Sequence, residues 1–195
     1  MSKRIALLSA VAFSTLAITG SLLAPASAED KKMMKSEMSG EKTVMVGGAA
    51  MFPSKNIIQN AVNSKDHTTL VAAVKAAGLV ETLEGKGPFT VFAPTNAAFG
   101  KLPAGTVDTL VKPENKATLT KILTYHVVAG KLEASDLADG KKLKTVEGEQ
   151  LTVKRSGDTV MLVDAKGGSS TVTISNVNQS NGVIHVVDTV LMPAS

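Results

Sequence analysis

The sequence predicts a single α+β domain, because helix-like and strand-like patterns occupy different parts of the chain. Up to about residue 128, apolar residues recur mostly at the spacing of a helix face. From residue 142 onward, apolar and polar residues alternate with the period of two that strands show. Helices followed by strands favour α+β over alternating α/β units, and the sequence contains no internal repeat that would indicate several domains.

The first 28 residues have the features of a secretory signal peptide. Lys3 and Arg4 precede an apolar run, residues 5–18, which is short for the roughly 20 residues of a membrane-spanning helix. Pro25 then breaks the helix, and the small residues 26–28 form a typical cleavage site. We therefore expect export, either to the periplasm or out of the cell, and no membrane span after cleavage.

Residues 29–50 are predicted to be a flexible leader, and residues 51–193 to be the folded domain. The leader is rich in lysine and methionine and has neither helical nor strand periodicity. Its thioether sulfurs could bind a soft metal ion such as Cu(I), through Met33, Met34 and Met38. The other interpretation, a disordered tail with incidental methionines, is favoured because soft ligands alone are a weak signal.

The composition argues against several classes of protein. There is no cysteine, so we expect neither disulfides nor a lipid-anchored cysteine. Removing Lys3 and Arg4 lowers the formal charge from +4 by two, to +2, which is small for a protein of nucleic acid or anionic membranes. Arg155 is then the only arginine, so nucleic-acid binding is not expected. Aromatic residues make up 3% of the chain, so the core must be mostly aliphatic.

Three helical segments are predicted before the first long strand. The first covers Pro53–Val62. A second can be capped by Asp66 or Thr68 and ends at Gly78, a residue type that suits the left-handed position after a helix. Leu79–Leu83 adds a further turn, before glycines and a proline break the helical pattern.

The sharpest local pattern is Thr90–Phe99, which reads T-V-F-A-P-T-N-A-A-F. It predicts a strand that ends at Pro94, because proline has no N–H for the ladder. Thr95 or Asn96 then caps a short helix. These residue types suit a structural corner better than catalysis, so we expect structural roles for Thr90, Phe92, Pro94, Thr95, Asn96 and Phe99.

The rest of the chain is predicted to hold two helices and then mainly strands. Thr106 can cap a short helix, and Pro113 suits the first turn of the next one. That helix leads into a predicted strand at residues 125–128. Further strands are predicted at residues 143–146, 151–155, 159–163, 171–177 and 183–191, with turns around Gly157 and Asn181.

Local signatures of catalysis are missing from the sequence. It contains no G-x-S-x-G elbow, no H-E-x-x-H helix and no phosphate-binding glycine loop. The histidines have no neighbouring residues at metal-ligand spacing, so we expect no metal site, no cofactor and no enzyme. A triad of distant Ser, His and Asp is the alternative, because such sites are assembled in space.

Three motifs occur in order along the chain. They are Thr90–Phe99, the pair Tyr125 and His126 within L-T-Y-H-V-V, and the closing G-V-I-H-V-V-D-T-V-L at 182–191. Together they resemble the fasciclin domain family over about residues 52–193, and above all its bacterial exported single-domain members, such as mycobacterial secreted antigens. The resemblance implies helices packed on a wedge-shaped β-sandwich. It also gives Gly182, His185 and Asp188 the status of family-motif residues with structural roles.

The resemblance further implies a non-enzymatic adhesion or interaction module that acts at the cell envelope or outside the cell. In animal members the Tyr-His region has been implicated in integrin contact, which makes Tyr125 and His126 the candidate partner-binding residues. The other interpretation, which we favour, is a buried pair whose polar atoms bond to backbone. His67 is expected to be solvated, and His185 to lie in the core.

The partner expected on this basis is an unidentified protein, or a matrix or envelope component, and the domain is expected to be a monomer. The alternative function is a periplasmic carrier of a small ligand or of Cu(I), which the Met-rich leader suggests.

Overall fold

The structure, a computed structural model, describes residues 42–194, so the predicted signal peptide lies outside the described residues. Strands β1 (Val44–Val46) and β2 (Ala49–Met51) form an antiparallel hairpin. Val46 and Met51 are buried in the core. The prediction that the flexible leader extends to residue 50 is therefore wrong at its end, because two apolar side chains of this hairpin are buried against the domain.

Six short α-helices follow within the described residues, and all of them end before residue 126. Their bounds are α1 Ile57–Ala61, α2 Thr68–Ala77, α3 Val80–Glu84, α4 Asn96–Gly100, α5 Thr106–Leu110 and α6 Lys116–Tyr125. Single turns of 3₁₀ helix occupy Lys65–His67, Pro113–Asn115 and Ala134–Asp136.

The remaining strands form one seven-stranded sheet. They are β3 Phe89–Pro94, β4 Val127–Ala129, β5 Lys142–Lys144, β6 Gln150–Ser156, β7 Thr159–Val163, β8 Ser169–Gln179 and β9 Gly182–Val187. The order is β4-β3-β9-β8-β7-β6-β5. Only β3 and β9 are parallel; all other neighbours are antiparallel. A bridge between Val128 and Thr145 brings the two edge strands together, so the sheet is nearly a barrel.

The sheet folds over at its longest strand. β8 pairs with β7 through its first part and with β9 through most of its length, with register shifts between Val172 and Val177. Asn176 adopts a left-handed conformation there (φ 57°), which is typical of an irregular strand. The two halves of the sheet thus form the layers of a sandwich, and the predicted α+β class is confirmed.

Two hydrophobic cores fill the domain. The first lies between the helices and the β4-β3-β9-β8 half of the sheet, and it includes Val74, Leu123 and Ile184. The second lies between the two halves and includes Phe92 and Tyr125. All residues of β9 are buried, which agrees with its nearly continuous apolar sequence.

Several local predictions need correction. Tyr125 is the last residue of α6 and His126 follows it as the cap, so the strand begins only at Val127. Thr106 does not cap α5, whose first flanking residue is Gly105 in the left-handed region. Gly78 does end α2 in that region (φ 72°), as predicted.

Candidate functional site

The corner after β3 uses two adjacent polar side chains to cap two different helices. Thr95 accepts a hydrogen bond from the backbone N–H of Ala98 (3.2 Å) and so caps its own helix, α4. Asn96 instead accepts from the N–H of Thr69 (3.0 Å), at the start of α2. Its Nδ2 also donates to the carbonyl of Lys65 (2.8 Å). The expectation that one of the two residues caps α4 is met by Thr95.

The other family-motif side chains of this stretch also hold the fold together. The Thr90 hydroxyl donates to the carbonyl of Gly130 (2.6 Å) and accepts from the N–H of Leu132 (2.9 Å). Phe92 is fully buried and stacks on the ring of His185, with 5.7 Å between centroids. Pro94 and Phe99 are buried as well.

Tyr125 is completely buried in the second core. Its hydroxyl accepts from the N–H of Ala165 (3.0 Å) and makes a longer contact with the carbonyl of Gln150 (3.4 Å). Burial raises the pKa of the phenol above its usual value, and nearby carboxylates such as Asp164 add to this shift. In this conformation a partner does not reach the side chain of Tyr125.

His126 is buried as well, and both ring nitrogens bond to backbone. Nδ1 lies 2.8 Å from the carbonyl of Ile122, which can only accept, so Nδ1 carries the hydrogen. Nε2 then accepts from the N–H of Leu191 (3.0 Å). Burial lowers the pKa of the ring to about 4, so the histidine is neutral at physiological pH. The ring joins the end of α6 to the chain that follows β9.

In the C-terminal motif at residues 182–191, polar side chains also form hydrogen bonds with backbone atoms. His185 Nε2 donates to the carbonyl of Leu132 (2.8 Å), and burial lowers the pKa of this ring too. The Asp188 carboxylate accepts from the N–H of Thr171 (2.8 Å) and lies 3.4 Å from the Lys101 ammonium. Partial burial acts to raise the pKa of Asp188. The contacts with Thr171 and Lys101 act against burial and hold this pKa below its usual value.

His67 contradicts the prediction that it is solvated. The residue is only 3% exposed, and Nδ1 lies 2.9 Å from the Ser64 hydroxyl. Nε2 is buried with no hydrogen-bond partner among the described residues. Burial lowers the pKa of the ring. The prediction failed because it treated the start of α2 as surface, whereas the 3₁₀ turn before that helix directs the ring inward.

A buried amide cluster at the β8–β9 turn was not predicted from the sequence. Asn181 accepts from the N–H of Ile57 (3.1 Å) and donates to the carbonyls of Leu83 (2.7 Å) and Gly85 (2.9 Å). Beside it, Asn60 bonds to Gln179. The Asn181-Gly182 pair signals a turn, but nothing in its local sequence indicates that the amide holds two helices. Gly182 itself is essential there, because a Cβ would collide with the carbonyl of Phe89.

The surface next to the Tyr-His pair comes from the loop between β5 and β6. The backbone N–H of Val146 donates to the carbonyl of Val127 (2.8 Å), and Val146 is 46% exposed. Glu147 pairs with Lys121 of α6 (3.7 Å). The buried pair therefore supports a small mixed surface of one apolar side chain and one ion pair.

An apolar cavity of about 60 Å³ lies in the first core, with Ser64, His67, Val71 and Val146 in its lining. Pockets for typical ligands measure roughly 300–1,000 Å³, and an engineered cavity that binds benzene measures about 150 Å³. The cavity therefore accommodates only a very small molecule. It adds little to the hypothesis of a small-ligand carrier.

Metal binding and membrane insertion find no support within residues 42–194. No group of three or more His, Asp or Glu side chains in that range is arranged to hold a metal ion. The methionines proposed as Cu(I) ligands, Met33, Met34 and Met38, lie outside the described residues. None of the helices within the same range has the length and apolar character needed to cross a membrane.

Comparisons with known proteins agree with the motif order. The family model described as Fasciclin domain matches residues 65–193. Protein sll1483 of a Synechocystis species is 50% identical over 153 residues, which is 78% of this chain and 82% of the relative. Immunogenic protein MPT70 of Mycobacterium tuberculosis is 37% identical over 189 residues, 94% of this chain and 89% of the relative.

A third relative and a solved structure extend the comparison. Cell surface glycolipoprotein MPB83 of Mycobacterium bovis is 40% identical over 153 residues, which is 76% of this chain and 64% of the relative. A FAS1 domain pair from the insect cell adhesion molecule Fasciclin I matches with a TM-score of 0.64. That match covers 72% of this chain and 52% of the insect chain, and at 17% identity it shows the fold alone.

Proposed function

Because this chain belongs to the fasciclin domain family, we propose that it is an exported interaction module. It binds a partner at the cell envelope or outside the cell and does not catalyse a reaction. A relative named as a cell surface glycolipoprotein and a relative named as an immunogenic protein support a location beyond the cytoplasm.

One observation carries this proposal: the polar groups of the family motifs are occupied by backbone. Both nitrogens of His126 bond to main-chain atoms, and Nε2 of His185 does the same. A general base must lie within hydrogen-bond reach of a substrate proton, and these rings face the interior. The motifs therefore favour a scaffold whose surface binds a partner, and not an enzyme with these residues as its catalysts.

Tyr125 and His126 enter the proposal as residues that shape a surface. Tyr125 and His126 hold the C-terminal end of α6 in place. Nearer the surface lie Val146 and the Lys121–Glu147 ion pair. A partner that uses this region contacts those outer side chains. Substituting Val146 with Ser then weakens retention of the partner while leaving thermal stability nearly unchanged.

The test is capture by the exported protein, purified from cells that export it. Chemical cross-linking to envelope and matrix fractions, followed by identification of the joined molecules, is expected to give a reproducible partner. Failure to retain any component, with the protein shown to be folded by circular dichroism, contradicts the proposal. Turnover in a screen of ester and glycoside substrates contradicts its non-enzymatic part.

A further inference from the structure

One face of the sheet carries exposed lysines in place of apolar residues. In β5, Lys142 and Lys144 are exposed on either side of the buried Leu143. In β6 and β7 the buried residues point toward the second core, and the alternate residues point outward. We call this outward surface the lysine face; it consists of Lys142, Lys144, Gln150, Thr152, Lys154 and Met161.

The register of the strands places the three lysines in a staggered row, two on β5 and one on the neighbouring strand β6. Lys144 lies opposite Gln150, and Lys142 lies opposite Thr152. Lys154 is two residues beyond Thr152 on the same outward side. Because two residues of a strand span about 6.6–6.8 Å, the row places a positive charge roughly every 7 Å along the strand direction.

Within residues 42–194 these three ammonium groups form no ion pair. Ion pairs among the described residues involve Lys101, Lys121 and Lys131, and none involves a lysine of the row. No Asp or Glu occurs in β5, β6 or β7.

Carboxylates in the segments next to β5 and β6 make other contacts. Glu147 pairs with Lys121, Glu149 accepts from the N–H of Ala194 (2.8 Å), and Asp139 accepts from the N–H of Arg155 (2.8 Å). Among residues 42–194 the lysine face is therefore a cationic strip without ion-pair partners, on a chain whose overall charge is small.

We propose that the lysine face binds an acidic polysaccharide, meaning a linear sugar polymer that carries carboxylates along its length. This inference rests on the proposed function and names the class of partner. Each lysine ammonium is a compact positive charge. The three ammonium groups pair with successive carboxylates along the polymer. Gln150 and Thr152 lie between them and offer donors and acceptors to sugar hydroxyls. Met161 supplies an apolar contact for the C–H side of a ring.

Other polyanions fit this surface less well. Binding to an anionic membrane usually combines basic residues with inserted apolar side chains, and the large apolar side chains exposed within residues 42–194 are Met45, Val62 and Val146, none of them on the lysine face. Binding to single-stranded nucleic acid relies on aromatic or arginine stacking. The face has no aromatic residue, and the Arg155 side chain already donates to Gly157 and Ala134.

The test uses the exported protein and immobilised alginate, a polymer of uronic acids. Retention is expected at low salt and should fall as salt rises, because salt screens exposed charges. A variant with Lys142→Gln, Lys144→Gln and Lys154→Gln is expected to lose at least tenfold in affinity. The matched control carries Lys75→Gln, Lys86→Gln and Lys112→Gln, which removes the same charge from exposed lysines elsewhere and should change affinity less than twofold.

Three results overturn the proposal. One is equal loss in the two triple variants, which makes net charge and not the lysine face responsible. Another is undiminished binding by the first variant. The third is tighter binding to phosphatidylglycerol vesicles or to DNA than to alginate. Neutral dextran should not retain the protein, and unchanged melting temperatures of both variants show that folding is intact.

The same variants separate this inference from the proposed function. If the Lys142, Lys144 and Lys154 variant still binds its envelope partner, the lysine face is not the binding site, and the interaction module survives as a proposal. If the unaltered protein retains no envelope component but binds alginate through the three lysines, the proposed function fails and the site stands.

Discussion

The Asn96 side chain caps a helix to which it does not belong, because its Oδ1 accepts the backbone N–H of Thr69 at 3.0 Å. The two residues are 27 positions apart in the chain. Asn96 begins α4, and Thr69 lies in the first turn of α2. A single amide thus fixes the end of β3 against the helical layer, and it holds the most distinctive motif in the sequence to the first core.

Replacing Asn96 with Ala is expected to lower the free energy of unfolding by about 1–2 kcal/mol, because α2 loses its cap and the carbonyl of Lys65 loses a donor. Asn96→Asp keeps the acceptor and should cost less. Thr95→Ala should cost about 1 kcal/mol through α4. Urea unfolding measures all three changes, and an unchanged midpoint for Asn96→Ala contradicts the assignment.

Acid is expected to destabilise the protein between about pH 6.5 and pH 4. His126 keeps a folded pKa of about 4, whereas a histidine in an unfolded chain titrates near 6.5. In that window the unfolded state binds more protons, so stability that is present above pH 6.5 is lost as the pH falls. For His126 alone the loss is on the order of 3 kcal/mol, and the lowered pKa values of His67 and His185 act in the same direction.

Urea unfolding at a series of pH values checks this. Asp188 gives an internal contrast: its lowered pKa adds stability above the unfolded carboxyl value near 3.9, and this is lost only at still lower pH. A midpoint that stays constant from pH 7 to pH 4.5 is incompatible with buried neutral histidines.

The neutral rings of His126 and His185 are expected to be opposite tautomers. Nδ1 of His126 and Nε2 of His185 each face a carbonyl at 2.8 Å, so each of these atoms carries the hydrogen. Long-range proton–nitrogen spectra near pH 7 distinguish the two forms. Finding the same tautomer at both sites shows that one of the two backbone contacts is absent in solution.

Tyr125 should ionise only above the ordinary tyrosine pKa of about 10 while the protein is folded. It is the only tyrosine, so phenolate absorbance reports it directly. Burial favours the neutral phenol, and stability should therefore be lost as the pH rises past the unfolded value. The urea-unfolded protein is the control and should titrate near 10. Identical midpoints in both states contradict burial, and Tyr125→Phe should abolish the signal.

Gly182→Ala is expected to be among the most damaging single substitutions, at more than about 3 kcal/mol, because its Cβ would force β9 away from the Phe89 carbonyl. Gly100→Ala is the matched control. That glycine ends α4 with open space around it, and alanine is the better helix former by up to about 1 kcal/mol. Equal stability of the two variants, measured by thermal unfolding, is the result that excludes a close approach at Gly182.

Local signals in the sequence predicted much of the fold. Gly78 ends α2 as predicted, and Thr95, one of the two predicted candidates, caps α4, because a left-handed residue and an N-cap are decided by a few neighbouring atoms. The strand at Thr159–Val163 is also found where the alternation placed it. The motif order identified the family for the same reason, since each motif is a short continuous stretch.

What the sequence did not predict depends on contacts between distant residues. The role of Asn96 requires Thr69, the contact that His126 Nε2 makes requires Leu191, and Asn181 acts on α1 and α3. The lysine face was missed for a related reason: Lys154 joins Lys142 and Lys144 only once β5 and β6 pair in their observed register. Spacing along one chain segment carries no information about such neighbours.

The position of β9 has a consequence for the order in which the protein can be assembled. This strand comes last in the chain, yet it lies in the middle of the sheet, between β3 and β8. A chain that emerges N-terminus first, from a ribosome or through a translocation pore, therefore cannot pair β3 and β8 with the strand between them until residues 182–187 are free. Until then β3 lacks its parallel partner and both cores lack the side chains of β9, so we expect the native packing of both cores to form only after β9 has emerged.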